Sequence, residues 1–353
     1  SRQVVPISHS AEARMTCDSQ EGQMTQSHDE KSSEDVEFFE YTKAANPLAK
    51  GAITPVSFGE LSHTLHEGGP TRVIPFDLSE KLNVEGPATS PNLSANFLRI
   101  QTGESLNTRT NATSELYYVL RGAGTTERKG EKLNWAKGDF FVLPGGEDCQ
   151  HTSSADSALY WINDQPLLTY LGVSISEEKF SPTIYKAADC ELELKKVAED
   201  PSAKDRNRVS VLLANKRFRQ TMTVTHTLWA MFGILPQGAI QLPHRHNSVA
   251  LDLILDCKPG CYTMVAKEID MDGNLIQPIR QDWKPYSAFV TPPYYWHAHY
   301  NESGAPAHLI PIQDAGLQTY MRTLDIEFAH APKPQSESES RAQNRQTVVS
   351  GVG

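Results

Sequence analysis

His244 and His246 stand two apart in QLPHRHNSVALDLIL, residues 241–255, with Arg245 between them. Successive side chains on a β-strand point to opposite faces, so on a strand both imidazoles share one face and Arg245 takes the other. A third histidine, His297, lies in VTPPYYWHAHYNESG, residues 290–304. Three neutral imidazole nitrogens meeting at about 2.0–2.2 Å suit Fe(II), Mn, Ni or Zn. Three protein ligands leave coordination positions open for a substrate or O2. A histidine pair on a strand is by itself an ordinary hydrogen-bonded feature, so the argument rests on what sets the spacing of all three.

The elements around them read as short strands. ANFLRI, ELYYVL, DFFVLP and SALYWI fill the first half of the chain; TLWAMFGILP, ALDLILD, CYTMVAKEI, SAFVTP and HLIPIQD fill the second. These runs are rich in β-branched, aromatic and aliphatic residues and are punctuated by Gly, Asn, Asp or Ser. Many short strands favour sandwiches or barrels over βαβ units. The expected organisation is a polar tail over 1–37, an N-terminal barrel over 38–180, a linker with a short helix over 181–210, a C-terminal barrel over 211–329 and a second polar tail over 330–353. The tails are too poor in apolar residues to fold alone, and His9 and His28 in the first are incidental.

Composition narrows the function classes. The 353 residues carry 33 Lys and Arg against 43 Asp and Glu, a net charge of -10. The longest basic stretch is RKGEK at 128–132, so no nucleic-acid partner is expected. No run of 18 apolar residues exists, so no membrane span is expected either. The first residues, SRQVVPISHS, lack the apolar core of a signal peptide, and a cytoplasmic location is the expectation. The five cysteines, at 17, 149, 190, 257 and 261, are odd in number and irregularly spaced, which argues against a disulfide framework. Cys257 and Cys261 read as strand residues beside a turn.

The two halves repeat a skeleton. Gly103 is followed six residues later by Arg109, then by Asn111, Glu115 and Gly122, with Gly138, Pro144, Gly146 and Cys149 further on. Gly238 is followed six later by His244, then His246, with Pro292, His297 and Asn301 further on. These skeletons resemble the two motifs of the cupin superfamily, and the chain is similar to a bicupin: an all-β protein of two double-stranded β-helix (jelly-roll) barrels with short helices at the linkers. The stretches 225–255 and 290–304, with INDQPLLTYLG at 162–172, resemble the gentisate 1,2-dioxygenase and 1-hydroxy-2-naphthoate dioxygenase family, which includes salicylate ring-opening enzymes. In that family the strong metal motif belongs to the N-terminal cupin, whereas here it sits in the C-terminal one. Family members carry Arg where this chain has Asp252.

The resemblance implies His244, His246 and His297 as ligands of Fe(II), with Mn, Ni or Zn as alternatives. It implies a dioxygenase that opens the ring of a hydroxylated aromatic carboxylic acid with O2, in a homodimer or homotetramer. Other readings stay open: a metal-dependent cupin isomerase, lyase or small-acid dioxygenase, or a non-catalytic binding or storage bicupin. The cupin glutamate would fall at 250 or 251, where the chain has Ala250 and Leu251. Asp252 shares the parity of the two histidines; it either ligates the metal, hydrogen-bonds a ligand or pairs with an arginine across the barrel. His299 shares the parity of His297 and either faces substrate or sits on the rim. Arg322 and Arg280 are candidates to hold a substrate carboxylate. Trp296, Trp229, Tyr294 and Tyr295 offer aromatic walls or packing, Gln241 approaches the histidines, and Tyr262 and Met264 read as barrel filling. In the first barrel Arg109, Asn111, Glu115 and Cys149 replace the ligands, His151 is the counterpart of His299, and Arg109 is expected to pair with Glu115. That barrel is expected to hold no metal.

Overall fold

A computed structural model describes residues 35–203, 206 and 208–329. The remainders of the two expected tails, with His9, His28 and Cys17, lie outside the described residues. Residues 35–52 belong to a separate compact unit, whose helix Tyr41–Ala44 is capped by the Glu40 carboxylate. Everything described from residue 53 onward builds two β-barrels, and the fold is the expected all-β bicupin.

Each barrel is a larger sheet packed on a smaller one, and every strand pair formed by the described residues named below is antiparallel. In the first barrel a six-stranded sheet runs Thr183–Tyr185, Phe140–Leu143, Glu115–Arg121, Ser157–Asn163, Ser94–Ile100, Arg72–Pro75. Its partner is the four-stranded sheet Ser105–Thr108, Cys149–Ser153, Ala123–Arg128, Glu131–Ala136. In the second barrel six strands run Gly59–Leu61, Ala288–Thr291, Ala250–Asp256, Ala307–Gln313, Trp229–Leu235, Val209–Leu213. They pack on five: Ile279–Asp282, Cys261–Ala266, Trp296–Asn301, Ile240–His246, Ile326–Phe328.

Strands such as ELYYVLR and ALDLILD are nearly continuous apolar runs because both faces are covered. Leu116, Tyr118 and Leu120 meet Leu251, Leu253 and Leu255 in one apolar cluster that joins the barrels. The alternate residues face inward: Tyr117 and Val119 in the first barrel, Ile254 in the second. His66 stitches the same junction. Its Nε2 donates to the Tyr286 carbonyl at 3.2 Å, and its Nδ1 accepts from Arg121 at 2.8 Å. Burial, more than any neighbouring charge, holds its pKa at about 4.

Two short strands cross the expected boundaries. Gly59–Leu61, in the stretch expected of the N-terminal barrel, pairs with Ala288–Thr291 of the second. Thr183–Tyr185, in the expected linker, pairs with Phe140–Leu143 of the first. The linker stretch also carries the helix Ala187–Glu199, which buries Cys190 and Leu194. No helix among the described residues is long and apolar enough to cross a membrane.

The repeat extends to the helix that closes each barrel. Asp164 precedes Gln165–Leu171 and Asp314 precedes Ala315–Met321. Asp164 accepts from the backbone of Thr113 and Ser114, and Asp314 accepts from that of Val249. Each helix ends on a left-handed residue, Gly172 (φ 64°) in the first repeat and Arg322 (φ 62°) in the second.

Candidate metal centre

His244 and His246 come from the strand Ile240–His246, and His297 from its antiparallel neighbour Trp296–Asn301. His244 lies directly across from His297. All three rings are buried, and their ligand nitrogens lie within 4.8 Å of one another. Arg245 points the other way, as strand alternation requires, and pairs with Glu327.

One local device repeats at each ring. His244 Nδ1 donates to the Leu242 carbonyl at 3.1 Å, His297 Nδ1 to the Tyr295 carbonyl at 3.0 Å and His246 Nδ1 to the Ser248 carbonyl at 2.8 Å. A carbonyl only accepts, so each Nδ1 carries the proton and each Nε2 keeps its lone pair. Such outer hydrogen bonds orient metal-binding imidazoles and fix their tautomer. The Nε2 of His246 is buried with no hydrogen-bond partner among the described residues. Burial keeps all three rings neutral, with His246 at about 4 and the other two well below the ordinary imidazole range. Three convergent lone pairs on neutral rings, one of them orphaned, fit a divalent metal ion.

His299 differs. It is buried, but its Nδ1 meets the Thr263 hydroxyl at 2.7 Å, and that hydroxyl accepts from Trp283 Nε1 at 2.8 Å. Its Nδ1 is thus held by a side-chain hydroxyl and not, as in the triad, by a backbone carbonyl. The first barrel contains the same chain: Trp135 Nε1 to Thr126 at 3.0 Å, and Thr126 to His151 Nδ1 at 2.8 Å. There the His151 Nε2 also has a partner, the Thr108 hydroxyl at 3.0 Å.

Thr108, not Arg109, is the register counterpart of His244. Counting from the glycines set Arg109 against His244, but Thr108 lies across from Cys149 as His244 lies across from His297. The histidine strand has a register irregularity between Gln241 and His244, and its counterpart has none. One extra residue in a strand shifts everything beyond it. Arg109 consequently sits outside and pairs with Asp148, not with Glu115. Glu115 is enclosed by donors from the Thr110 hydroxyl, the Tyr117 hydroxyl and Trp161 Nε1, the last at 3.1 Å.

The positive charge at the histidines comes from Arg208, which no motif had singled out. Its Nη2 lies 3.2 Å from His244 Nε2. With the Gln241 amide turned oxygen inward, Gln241 accepts from Arg208 Nε and Nη2 at 2.6 and 2.7 Å. A cavity of about 460 Å³ is lined by His244 and His246 together with Arg206, Arg208, Trp229, Gln313 and Phe328. Phe328 stacks near His244, ring centres 5.7 Å apart.

The other candidates lie elsewhere. Asp252 is buried and accepts from the Thr291 hydroxyl at 2.8 Å; it does not line the cavity. Burial raises its carboxyl to about 6, against the Thr291 bond and the Arg208 charge. Arg322 is exposed at its helix end, with its guanidinium near the Tyr320 ring and bonded to the Tyr320 carbonyl. Arg280 is held on the outer face by Asp282 and the Tyr262 ring. Trp296 is buried on the opposite face of its strand from His297, beneath Arg245. Tyr294 is exposed, and Tyr295 contributes its carbonyl to His297. Tyr262 and Met264 do not fill the barrel. They flank the inward Thr263 and so lie on the outer face, Tyr262 bonded to Glu302 and Met264 in an outer groove with Leu242.

No protein-family model matches the chain. It is 33% identical over 107 residues to a 5-aminosalicylate 1,2-dioxygenase from Comamonas sp, covering 30% of this chain and 28% of that protein. It is 28% identical over 130 residues to gentisate 1,2 dioxygenase 1 from Aquipseudomonas alcaligenes, covering 36% of this chain and 33% of that one. The matched stretches thus span about a third or less of the curated relatives. Among solved structures, salicylate 1,2-dioxygenase from Pseudaminobacter salicylatoxidans superposes with a TM-score of 0.63 at 14% identity, over 84% of this chain and 96% of that one. Its adducts with gentisate give 0.64 at 14% identity, over 84% and 92%. At such identities the superposition shows the shared two-barrel fold. The curated relatives bear out the resemblance to gentisate 1,2-dioxygenases over the stretches they match.

Proposed function

We propose that this chain is an Fe(II)-dependent dioxygenase that opens the ring of a hydroxylated aromatic carboxylic acid, with its active site in the second barrel. The observation that carries the reading is the cluster of three neutral, tautomer-locked histidines, two of which, His244 and His246, line a cavity with Arg208 and two aromatic side chains. A bound Fe(II) supplies Lewis acidity toward the acid's carboxylate and hydroxyl, and redox chemistry toward O2. His244, His246 and His297 hold it. Arg208, steadied by Gln241, offers charged donors to the substrate carboxylate. Trp229 and Phe328 flank the space for a flat ring and limit water beside it. Both atoms of O2 enter the product, so no external reductant is consumed.

The test is oxygen uptake by protein loaded anaerobically with Fe(II). Gentisate, salicylate, 5-aminosalicylate, 1-hydroxy-2-naphthoate and aliphatic hydroxy acids would be compared. Equimolar uptake with at least one aromatic acid, and none with the aliphatic acids, is expected. Uptake with no aromatic acid would overturn the reading.

A further inference from the structure

Gln313 ends the strand Ala307–Gln313 and is 4% exposed, yet it lines the cavity shared by His244 and His246. Its neighbours across the sheet are Trp229 on one side and Ala250 on the other, with Thr291 beyond. Directly paired residues in a sheet share a face, so this row points inward together. In the first barrel the same row is Asn163, Glu115 and Leu143. Ala250 therefore presents a methyl group where the other barrel has the Glu115 side chain.

That amide has a fixed orientation. Gln313 Oε1 accepts from the Ser248 hydroxyl at 2.9 Å. A planar amide held at its oxygen turns its NH2 the other way, and this NH2 has no hydrogen-bond partner among the described residues. Ser248 is also the residue whose carbonyl takes the His246 proton. One residue thus sets both a triad ring and a free donor in the same cavity. The donor is neutral, whereas Arg206 and Arg208 provide the cavity's positive charge. A carboxylate suits the arginines; the neutral amide suits an uncharged oxygen.

We infer that Gln313 determines specificity by donating its NH2 to a ring hydroxyl of the aromatic acid, with Ser248 as the positioning residue that aims it. This rests on the proposed function above. The experiment measures binding of gentisate, salicylate and benzoate to metal-loaded protein through tryptophan fluorescence, with metal content determined alongside. In Gln313→Leu, affinity for a hydroxylated acid should fall about tenfold, the worth of one such hydrogen bond. Benzoate, which has no ring hydroxyl, should change less than about twofold, and metal content should stay at the wild-type level. Ser248→Ala should weaken only the hydroxylated acids, by about threefold: the serine hydroxyl also lies 3.1 Å from His246 Nδ1, but the shorter bond to the backbone carbonyl, at 2.8 Å, still holds that ring. Equal losses for benzoate and the hydroxylated acids would overturn the inference, as would unchanged binding or loss of metal in Gln313→Leu. If the wild-type protein binds the acids but Gln313→Leu binds them equally well, the inference alone fails. If the wild-type protein binds none of them, both readings fail.

Discussion

The two barrels share a frame and differ in what fills it. In the first, Trp161, Tyr117 and Phe141 lie side by side across the larger sheet, with Tyr117 stacked on Phe141 at 4.6 Å and on Trp161 at 5.9 Å between ring centres. In the second, Pro311, Asp252 and Phe289 hold the same places. One row over, Glu115 faces Ala250, and on the smaller sheet Thr108 and Cys149 face His244 and His297. A buried aromatic ring covers about 150–250 Å². The first barrel uses its interior for packing; the second is cut back at the same positions and lined with imidazoles. The Trp–Thr–His chain survives in both, so it belongs to the frame. Chemistry on this fold is decided by which inward positions are shortened.

The comparison can be broken most severely at the triad. Replacing His297 with Ala, which brings the second barrel toward the first, should abolish metal retention and lower activity by more than about 100-fold, the upper range for mere outer-shell partners. Metal analysis on the purified variant checks this; wild-type metal content would refute the assignment. Next is Arg208→Gln, expected to weaken binding of an aromatic acid by roughly 10–100-fold, the worth of a charged hydrogen bond, at unchanged metal content. Substrate titration of the loaded variant reads it out.

The reverse test lies in the first barrel. Glu115→Ala should strand the hydroxyls of Thr110 and Tyr117 and the Trp161 N–H, costing roughly 1–3 kcal/mol of stability, with metal content untouched. Chemical denaturation and metal analysis of one sample separate the two effects. Between the barrels, the pKa of His66 is depressed from 6.5 to about 4 in the folded protein. The unfolded chain therefore takes up this proton first. The contribution of His66 to stability is full above pH 6.5, falls as the pH drops toward 4 and is flat below that. Denaturation midpoints across this range for wild type and His66→Gln should converge toward pH 4. The smallest effect is expected at Arg322→Gly, which copies Gly172 into a left-handed helix end. It should raise stability by about 1 kcal/mol or less and leave turnover unchanged. A fall in turnover there would return Arg322 to the site.

Much of this was legible from residue order. The strand rhythm, the doubled skeleton and the shared face of His244 and His246 follow from periodicity, which local sterics enforce. The register irregularity before His244 was not legible, because an inserted strand residue has no composition of its own, and it displaced Arg109 by one. Arg208 was hidden for a different reason. It lies in a polar linker-like stretch and reaches the site only because Val209–Leu213 pairs with Trp229–Leu235. Arg322 misled because its position is set by a backbone conformation that its side chain does not advertise. Tyr262 and Met264 read as core by type, but parity with Thr263 sends them outward.

The strand Gly59–Leu61 has a consequence for how the protein is made. It forms one edge of the second barrel's larger sheet, against Ala288–Thr291. Synthesis runs from the N-terminus, so this segment leaves the ribosome before any strand of the first barrel's core, while its partner emerges only after most of the chain. Until then both bear unpaired backbone groups, a template for pairing with another chain. Closing this edge of the metal-bearing half is therefore a long-range return of the chain's early segment.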